Sequence, residues 1–269
     1  MTAPAKTPRS IYANKLGEYP QIAFADRDAF AHRGRWREFF SDRIGRSFDR
    51  RIIFEIGCSD AAFLSRIAGK FPNASFVGLD WKFKSLYDAA ARVTTLGLRN
   101  VALIRGRGQD IGKLFSPREV DEIWIFHPDP CDRDVELKNR LISEPFLLDA
   151  HHALRDRKSP LCLKTDHPGY YQWMLSLLGM PQPAWFAAPR TASAPRLRVN
   201  DLMKAEDHPS PSESIRKRFV ARVNSADYWS DPAALSQTSY QMVAGERSTY
   251  EERFVRKRFP IYHVELQKK

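Results

Sequence analysis

Four acidic side chains stand where buried strands are expected to end. Glu55, Asp80 and Asp166 each close an apolar run, and Asp129 follows a fourth run by two residues. Ligands of open parallel sheets bind beyond the carboxyl ends of the strands, so these carboxylates are expected to share one rim. Each one alone also fits a helix cap or a closed turn. Four together predict a rim that accepts hydrogen bonds from a polar ligand.

The turn after the first run indicates a cofactor. In FEIGCSDAAF only Gly57 is retained, and Ser59 and Ala61 stand where dinucleotide-binding loops have further glycines. A dinucleotide needs those glycines so that its pyrophosphate reaches backbone N–H groups, whereas S-adenosylmethionine carries no phosphate. Asp80 lies 23 residues after Gly57, near the spacing of a ribose-binding carboxylate. The pattern favours S-adenosylmethionine over NAD, and an ordinary strand–helix unit without a ligand stays open.

Asp129 and Asp166 are expected on the acceptor side of that cofactor and are the candidate catalytic residues. Carboxylates there accept hydrogen bonds from ring N–H and amino groups, such as those on a guanine edge. Guanine N7 carries a lone pair and no proton, so its methylation needs no general base. Catalysis would then rest on positioning and on electrostatics that tolerate a cationic product.

The elements that must position these residues alternate regularly along the chain. Strand candidates are 51–57, 75–80, 100–106, 122–127 and 160–166, and helix candidates are 60–70, 82–96, 138–155 and 168–178. Such alternation predicts an α/β fold, Rossmann-like, with a mostly parallel twisted sheet and helices on both faces. The closing run PIYHVELQ alternates and predicts an antiparallel last strand.

Three regions are expected along the chain. Residues 1–50 read as an N-terminal extension with one or two short helices, its first ten residues disordered, and residues 51–269 as the main domain. Residues 180–235, rich in Pro, Ala and Ser, interrupt the alternation and read as an insertion that packs on the sheet or folds over a site. A loop without function is the other interpretation. Ser214 is expected to cap a short basic helix in this insertion.

The composition limits the classes of partner and the cellular compartment that are expected for the chain. The net charge of +11 and pI near 9.7 favour a polyanionic partner such as nucleic acid. A mean hydropathy of -0.48 without a long apolar run argues against a membrane span. The N-terminus lacks a signal-peptide pattern, and the cysteines form no C-x-x-C, which predicts reduced thiols in the cytoplasm and no metal site.

Several motifs carry a resemblance to a known family. STYEERF from Ser248 and PIYHVE from Pro260 are similar to that family's T-x-Y-E-x-K-F and P-I-Y-x-x-E. LKTD from Leu163 is similar to its F-K-T-D, Asp129 lies in the equivalent of its P-D-P-W, and ANKLGEYP from Ala13 is similar to its N-terminal arm. The chain thus resembles the bacterial tRNA (guanine-N7)-methyltransferases and is interpreted as a diverged member.

The resemblance implies a class I methyltransferase fold and a division of labour. Glu55, Asp80 and the Gly57 loop would bind S-adenosylmethionine, and Asp129 would stand where cofactor and guanine meet. The residues implied to hold the base are Asp166, Ser248 and Glu251.

Two departures from the family bear on this site. Its acidic adenine-binding position falls on Arg107, which cannot accept from an adenine amino group; Asp110 is the nearest carboxylate. The family follows P-D-P-W with a loop dense in basic residues, whereas CDRDVELKNR from Cys131 carries acids in several of those places.

Three functions therefore stay open at this point. The first is methylation of guanine N7 in tRNA, and the second is methylation of a small nitrogen heterocycle by a repurposed family member. The third is a relative without catalysis that binds RNA or a partner protein. An unrelated nucleotide-binding oxidoreductase is the remaining alternative.

Overall fold

A computed structural model describes residues 11–25, 27–45, 51–184, 201–240 and 242–269 of the chain. Its strands are β1 (Ala23–Ala25), β2 (Ile52–Ile56), β3 (Ser75–Asp80), β4 (Val101–Arg105), β5 (Glu122–Phe126), β6 (Pro160–Thr165), β7 (Phe219–Ser225) and β8 (Tyr262–Lys268). Within the described ranges they form one eight-stranded sheet of order β1-β4-β3-β2-β5-β6-β8-β7. All neighbours from β1 to β6 run parallel, and β8 runs antiparallel to both β6 and β7.

Helices cover both faces of this sheet because the strand residues alternate between two apolar clusters. Ile52, Phe54 and Ile56 belong to one cluster, and Ile53 belongs to the other. The helices are α1 (Ile11–Lys15), α2 (Arg27–Phe30), α3 (Trp36–Ile44), α4 (Ala62–Lys70), α5 (Phe83–Thr95), α6 (Ile111–Leu114), α7 (Glu144–Ala153), α8 (Pro168–Leu178), α9 (Glu213–Arg218), α10 (Pro232–Gln237) and α11 (Thr249–Arg256). Residues of α4 and α5 pack on one face, and residues of α3, α7 and α8 pack on the other.

The predicted fold class is confirmed in its architecture. The sheet is mostly parallel, the last strand is antiparallel, and each of the five predicted parallel strands is present within one residue of its expected bounds. The predicted helix 138–155 begins later, at Glu144, because Pro145 occupies the first turn and a 3₁₀ segment, Asp134–Asn139, precedes it.

The structure corrects the boundaries expected for the two flanking regions. The N-terminal extension contributes β1 to the sheet, so it is more than a pair of helices. Part of the expected insertion is the edge strand β7, and its preceding helix is capped by Ser212 and not by Ser214. Residues 185–200 of the insertion and the expected disordered start, 1–10, lie outside the described residues.

No helix in the described part of the chain has both the length and the apolar character needed to cross a membrane. Cys58, Cys131 and Cys162 are all free thiols. Among the described residues, no group of three or more His, Cys, Asp or Glu side chains is arranged to hold a metal ion.

Candidate functional site

Asp80 joins the two loops at the carboxyl ends of β2 and β3. Its carboxylate accepts from the backbone N–H of Ser59 at 3.1 Å and from that of Lys82 at 2.8 Å. The N–H of Gly57 donates to the carbonyl of Leu79 at 2.7 Å, which continues the pairing of β2 and β3 into the turn. The sequence-predicted Gly57 and Asp80 are therefore brought together at one corner of the rim.

The turn keeps a glycine-like backbone even where the glycines are replaced. Gly57, Ser59 and Ala61 have φ of 88°, 50° and 52°, which is the left-handed region. Side chains there cost of order 1 kcal/mol each, and such strain persists mainly at functional sites. A Cβ built on Gly57 would meet nothing within 4 Å, so the turn faces open space on that side. A ligand can approach this backbone closely.

Glu55 lies at the end of β2 with a carboxyl oxygen that lacks a partner. The residue is 5% exposed, and the described residues offer no hydrogen-bond partner to its Oε2 atom. Burial first, and then the charges of Glu251 and Asp80, raise the pKa of Glu55 to about 8. A buried carboxyl among other acids is suited to a cationic or N–H-bearing ligand group. S-adenosylmethionine, with its sulfonium and amino group, fits this environment.

Arg107 lies on the same rim, beyond the end of β4. It follows Arg105, the register partner of Asp80, by two residues, and its side chain is exposed. The neighbouring carboxylate, Asp110, pairs with Lys113 at 2.7 Å. Trp81, which directly follows Asp80, is 62% exposed beside this corner. An exposed indole after a strand-ending acid is a signal that the sequence interpretation did not use.

The acceptor side of the rim is built on the neighbouring strands β5 and β6. The N–H of His127 donates to the carbonyl of Lys164 at 2.8 Å, which extends the strand pairing by one residue. His127 Nδ1 and Asp166 Oδ1 are 3.1 Å apart, and both side chains are more than nine-tenths buried. Asp129 is exposed, and its carboxylate accepts from the N–H of Cys131 at 3.1 Å. The two predicted catalytic residues thus follow adjacent strands at the same edge.

A buried ion pair lies behind this edge. Lys164 Nζ is 3.1 Å from Glu251 Oε1, and both side chains are fully buried. Four aromatic rings surround the ammonium, those of Phe126, Tyr228, Trp229 and Tyr240. Burial lowers the pKa of Lys164, opposed by the charge of Glu251. Burial acts to raise the pKa of Glu251, but Lys164 and then His127 hold it below its ordinary value.

Ser248 and Glu251 bind each other as the capping box of α11. The N–H of Glu251 donates to Ser248 Oγ at 3.1 Å, and the N–H of Ser248 donates to Glu251 Oε2 at 2.9 Å. Both residues thereby have a structural function that accounts for their spacing. Their predicted contact with a base stays a prediction.

The loop after Asp129 is anchored by hydrogen bonds and ion pairs of its own charged side chains. Arg140 is 4% exposed and donates from Nε to the carbonyl of Pro130 at 2.8 Å. Asp132 lies 3.1 Å from His167 Nε2, which anchors the loop to the start of α8. Arg133 pairs with Glu136 inside the loop. The rim beside Asp129 therefore presents acids together with bases that are already paired.

His127 and Lys164 are the site residues that sequence reasoning missed. Both lie inside motifs that the sequence made visible, since His127 precedes Pro128 and Asp129, and Lys164 lies within LKTD. The signal for His127 was a histidine immediately after a predicted strand. The sequence did not indicate that Lys164 is buried, because a lysine is rarely buried unless it is paired.

Comparison with known proteins places the chain among methyltransferases. The model of the family described as "Putative methyltransferase" matches residues 49–207. A bifunctional glycosyltransferase/methyltransferase of Fusobacterium nucleatum is 31% identical over 174 residues, which are 64% of this chain and 26% of that protein. A tRNA (guanine-N(7)-)-methyltransferase of Cytophaga hutchinsonii is 32% identical over 148 residues, 55% of this chain and 64% of that protein.

These matches thus extend over less than two thirds of either curated relative. Among solved structures, the antibiotic-resistance methyltransferase Kmr is similar with a TM-score of 0.48 at 14% identity, covering 86% of this chain and 92% of that one.

Proposed function

The chain belongs to the "Putative methyltransferase" family, and from that premise we propose that it transfers the methyl group of S-adenosylmethionine to a ring nitrogen of a flat, nitrogen-rich acceptor. The observation that carries the proposal is the shared rim, where Glu55 and Asp80 lie at the ends of β2 and β3 while Asp129 and Asp166 follow β5 and β6. The four carboxylates form a cofactor half and an acceptor half along one edge of one sheet.

S-adenosylmethionine is the cofactor, and when bound it supplies a methyl group activated by a sulfonium. In the proposal, Glu55 accepts from its amino group or balances its charge, and Asp80 accepts from its ribose hydroxyls through the lone pairs left free by two backbone N–H groups. Gly57 lets the backbone approach, and the exposed Trp81 offers a flat surface beside this corner. Arg107 remains a candidate for the adenine end of the site.

The proposal allows two alternative acceptors. Guanine N7 of tRNA is supported by the name of the Cytophaga relative and by the net charge of +11. A small nitrogen heterocycle is supported by the local charges, because Asp129 is exposed on the rim while Arg133 and Arg140 of the following loop are paired with Glu136 and Asp132. A phosphate next to Asp129 would meet a carboxylate, and these loop bases are already paired, so a small neutral ring suits this part of the rim better.

Calorimetry followed by methyl transfer tests the proposal. The protein is titrated with S-adenosylmethionine and S-adenosylhomocysteine, and then labelled methyl transfer to bulk tRNA is compared with transfer to a set of purines and azoles. Cofactor binding with transfer to either class is the expected result. No binding of either cofactor form would overturn the proposal and favour a relative without catalysis.

The Asp166→Ala variant tests whether the cofactor half and the acceptor half of the rim have separate functions. Because Asp166 follows β6 on the acceptor side, its loss is expected to lower methyl transfer at least a hundredfold while leaving cofactor affinity within about twofold. Asp80→Ala is the matched variant, and its main effect is expected on cofactor affinity. Equal loss of binding and transfer in Asp166→Ala would contradict this division.

A further inference from the structure

His127 and Asp166 form a buried pair beyond the adjacent strands β5 and β6, and the pair uses only one of the two ring nitrogens of His127. The ring of His127 is held by Asp166, whose Oδ1 lies 3.1 Å from Nδ1, and by the ring of Tyr250, whose centroid lies 4.7 Å from that of the imidazole. Its other nitrogen, Nε2, is buried, and the described residues offer it no hydrogen-bond partner. His127 also holds φ of 53°, a left-handed backbone that side chains adopt at some cost.

The carboxylate of Asp166 defines which tautomer a neutral His127 ring adopts. A carboxylate only accepts hydrogen bonds, so Asp166 requires the proton of a neutral imidazole to lie on Nδ1, and Nε2 then carries the lone pair. Glu251, next to Tyr250 on α11, is a further charged group that interacts with His127, and it is paired with Lys164. A histidine oriented by a carboxylate and offering a free lone pair has the arrangement of a general base.

We infer that His127, oriented by Asp166, is the general base of this site and that the reacting nitrogen of the acceptor carries a proton. The lone pair of the acceptor nitrogen forms the bond to the methyl carbon, and the carbon–sulfur bond breaks with its electrons going to sulfur. The N–H proton passes to Nε2, and the resulting imidazolium is stabilised by the carboxylate of Asp166.

The inference rests on the proposed methyl transfer and selects between its acceptors. Guanine N7 bears no proton, so a base at His127 would have nothing to remove there. A heterocycle with a ring N–H, such as a lactam or an azole, loses its proton in the reaction and leaves as a neutral product. The exposed carboxylate of Asp129 favours the same small, neutral class.

The first test measures which ring nitrogen of His127 is protonated, in the protein without added ligand. Nitrogen-15 NMR of the histidine side chains, with His127 assigned by the signal lost in His127→Asn, reports which nitrogen carries the proton. The inference expects the proton of the neutral ring on Nδ1, and it expects that proton to move to Nε2 in Asp166→Asn. A neutral ring protonated on Nε2 in the wild-type protein would overturn it.

The second test uses acceptors that differ in that proton. Theophylline and uracil offer ring N–H groups, and guanosine and bulk tRNA offer the proton-free N7. His127→Asn tolerates the left-handed backbone but cannot take a proton, and it is expected to lower transfer to the N–H acceptors by about 10² to 10⁴ and to abolish the acid limb of the pH profile. His152→Gln, exposed on α7, is the matched control and is expected to leave both unchanged.

The outcomes separate this inference from the proposed function. Cofactor binding with transfer to guanine N7 that is unaffected in His127→Asn would overturn the general base and leave the methyltransferase standing. Loss of cofactor binding in the wild-type protein would instead remove the proposed function. Cofactor binding retained in His127→Asn, with N–H acceptors no longer methylated, supports both.

Discussion

Glu55 Oε2 and His127 Nε2 are buried polar atoms to which the described residues offer no hydrogen-bond partner. Leaving such an atom unpaired costs about 1–3 kcal/mol, so a fold retains it where a ligand or a reaction makes use of it. Glu55 lies at the end of β2 and His127 directly follows β5, and these two strands are neighbours in the sheet. In the proposed function, the cofactor half and the acceptor half of the rim would each use one of these two atoms.

The ionisation of Glu55 gives a prediction for stability. Its pKa is about 8 in the folded chain against an ordinary value of 4.5, because of burial and then of Glu251 and Asp80. Between these values the folded state holds a proton that the unfolded state has lost, so the free energy of unfolding falls as pH rises. Glu55→Gln cannot ionise, and its stability relative to wild type is expected to grow across this window by about 1 kcal/mol per pH unit.

Urea denaturation of both proteins at a series of pH values measures this difference. Glu252→Gln, on the exposed side of α11, is the control and is expected to follow the wild-type curve. Parallel curves for Glu55→Gln and wild type would mean that Glu55 is ionised throughout the range and not raised in pKa.

At the scale of elements, the strands and helices that carry the rim were predictable and the flanking ones were not. β2, β3, β5 and β6 are apolar runs closed by a turn, a pattern that hydrophobic periodicity reports directly. β1 is only three residues long, and β7 alternates buried and exposed positions within a Pro-rich and Ser-rich region, so both depend on neighbours distant in sequence.

Side-chain pairs were predicted less well than elements, for the same physical reason. The rim position of Asp166 follows from its strand, but its pairing with His127 depends on the register of β5 against β6. The burial of Lys164 depends on Glu251, 87 residues further along the chain. Sequence patterns report the face of a strand and do not report its partner.

The capping box of α11 gives a prediction at this scale. Ser248→Ala removes the oxygen that accepts from the N–H of Glu251 and is expected to lower the free energy of unfolding by about 1 kcal/mol. Ser248→Thr keeps a hydroxyl and is expected to lose less. Ser236→Ala, in which an exposed serine of α10 is removed, is the control; thermal denaturation compares all three with wild type. A Ser248→Ala protein as stable as the control would leave Ser248 with a role in binding alone.

At the scale of the whole molecule, the N-terminal region is part of the main domain. Trp36 and Phe40 of α3 are fully buried in the cluster that also contains Phe115. Glu119, before β5, accepts from the N–H groups of Gly34 at 2.8 Å and Trp36 at 3.0 Å. The expected division at residue 50 therefore falls within one core, and this core supports the strand that leads to His127.

This continuity predicts that the chain from residue 51 onward does not fold alone. A fragment without Trp36 and Phe40 would expose the apolar face around Phe115. Burial of each of these two aromatic side chains contributes about 1.5–3 kcal/mol, and the two contributions together approach the stability of a typical domain. Phe40→Ala in the full chain is expected to cost about 3–5 kcal/mol. Glu38→Ala removes only an exposed ion pair with Arg35, which directly precedes α3, and is expected to leave the stability nearly unchanged. Chemical denaturation followed by circular dichroism measures all three, and a cooperative, wild-type transition in the 51–269 fragment would show that the two regions are independent.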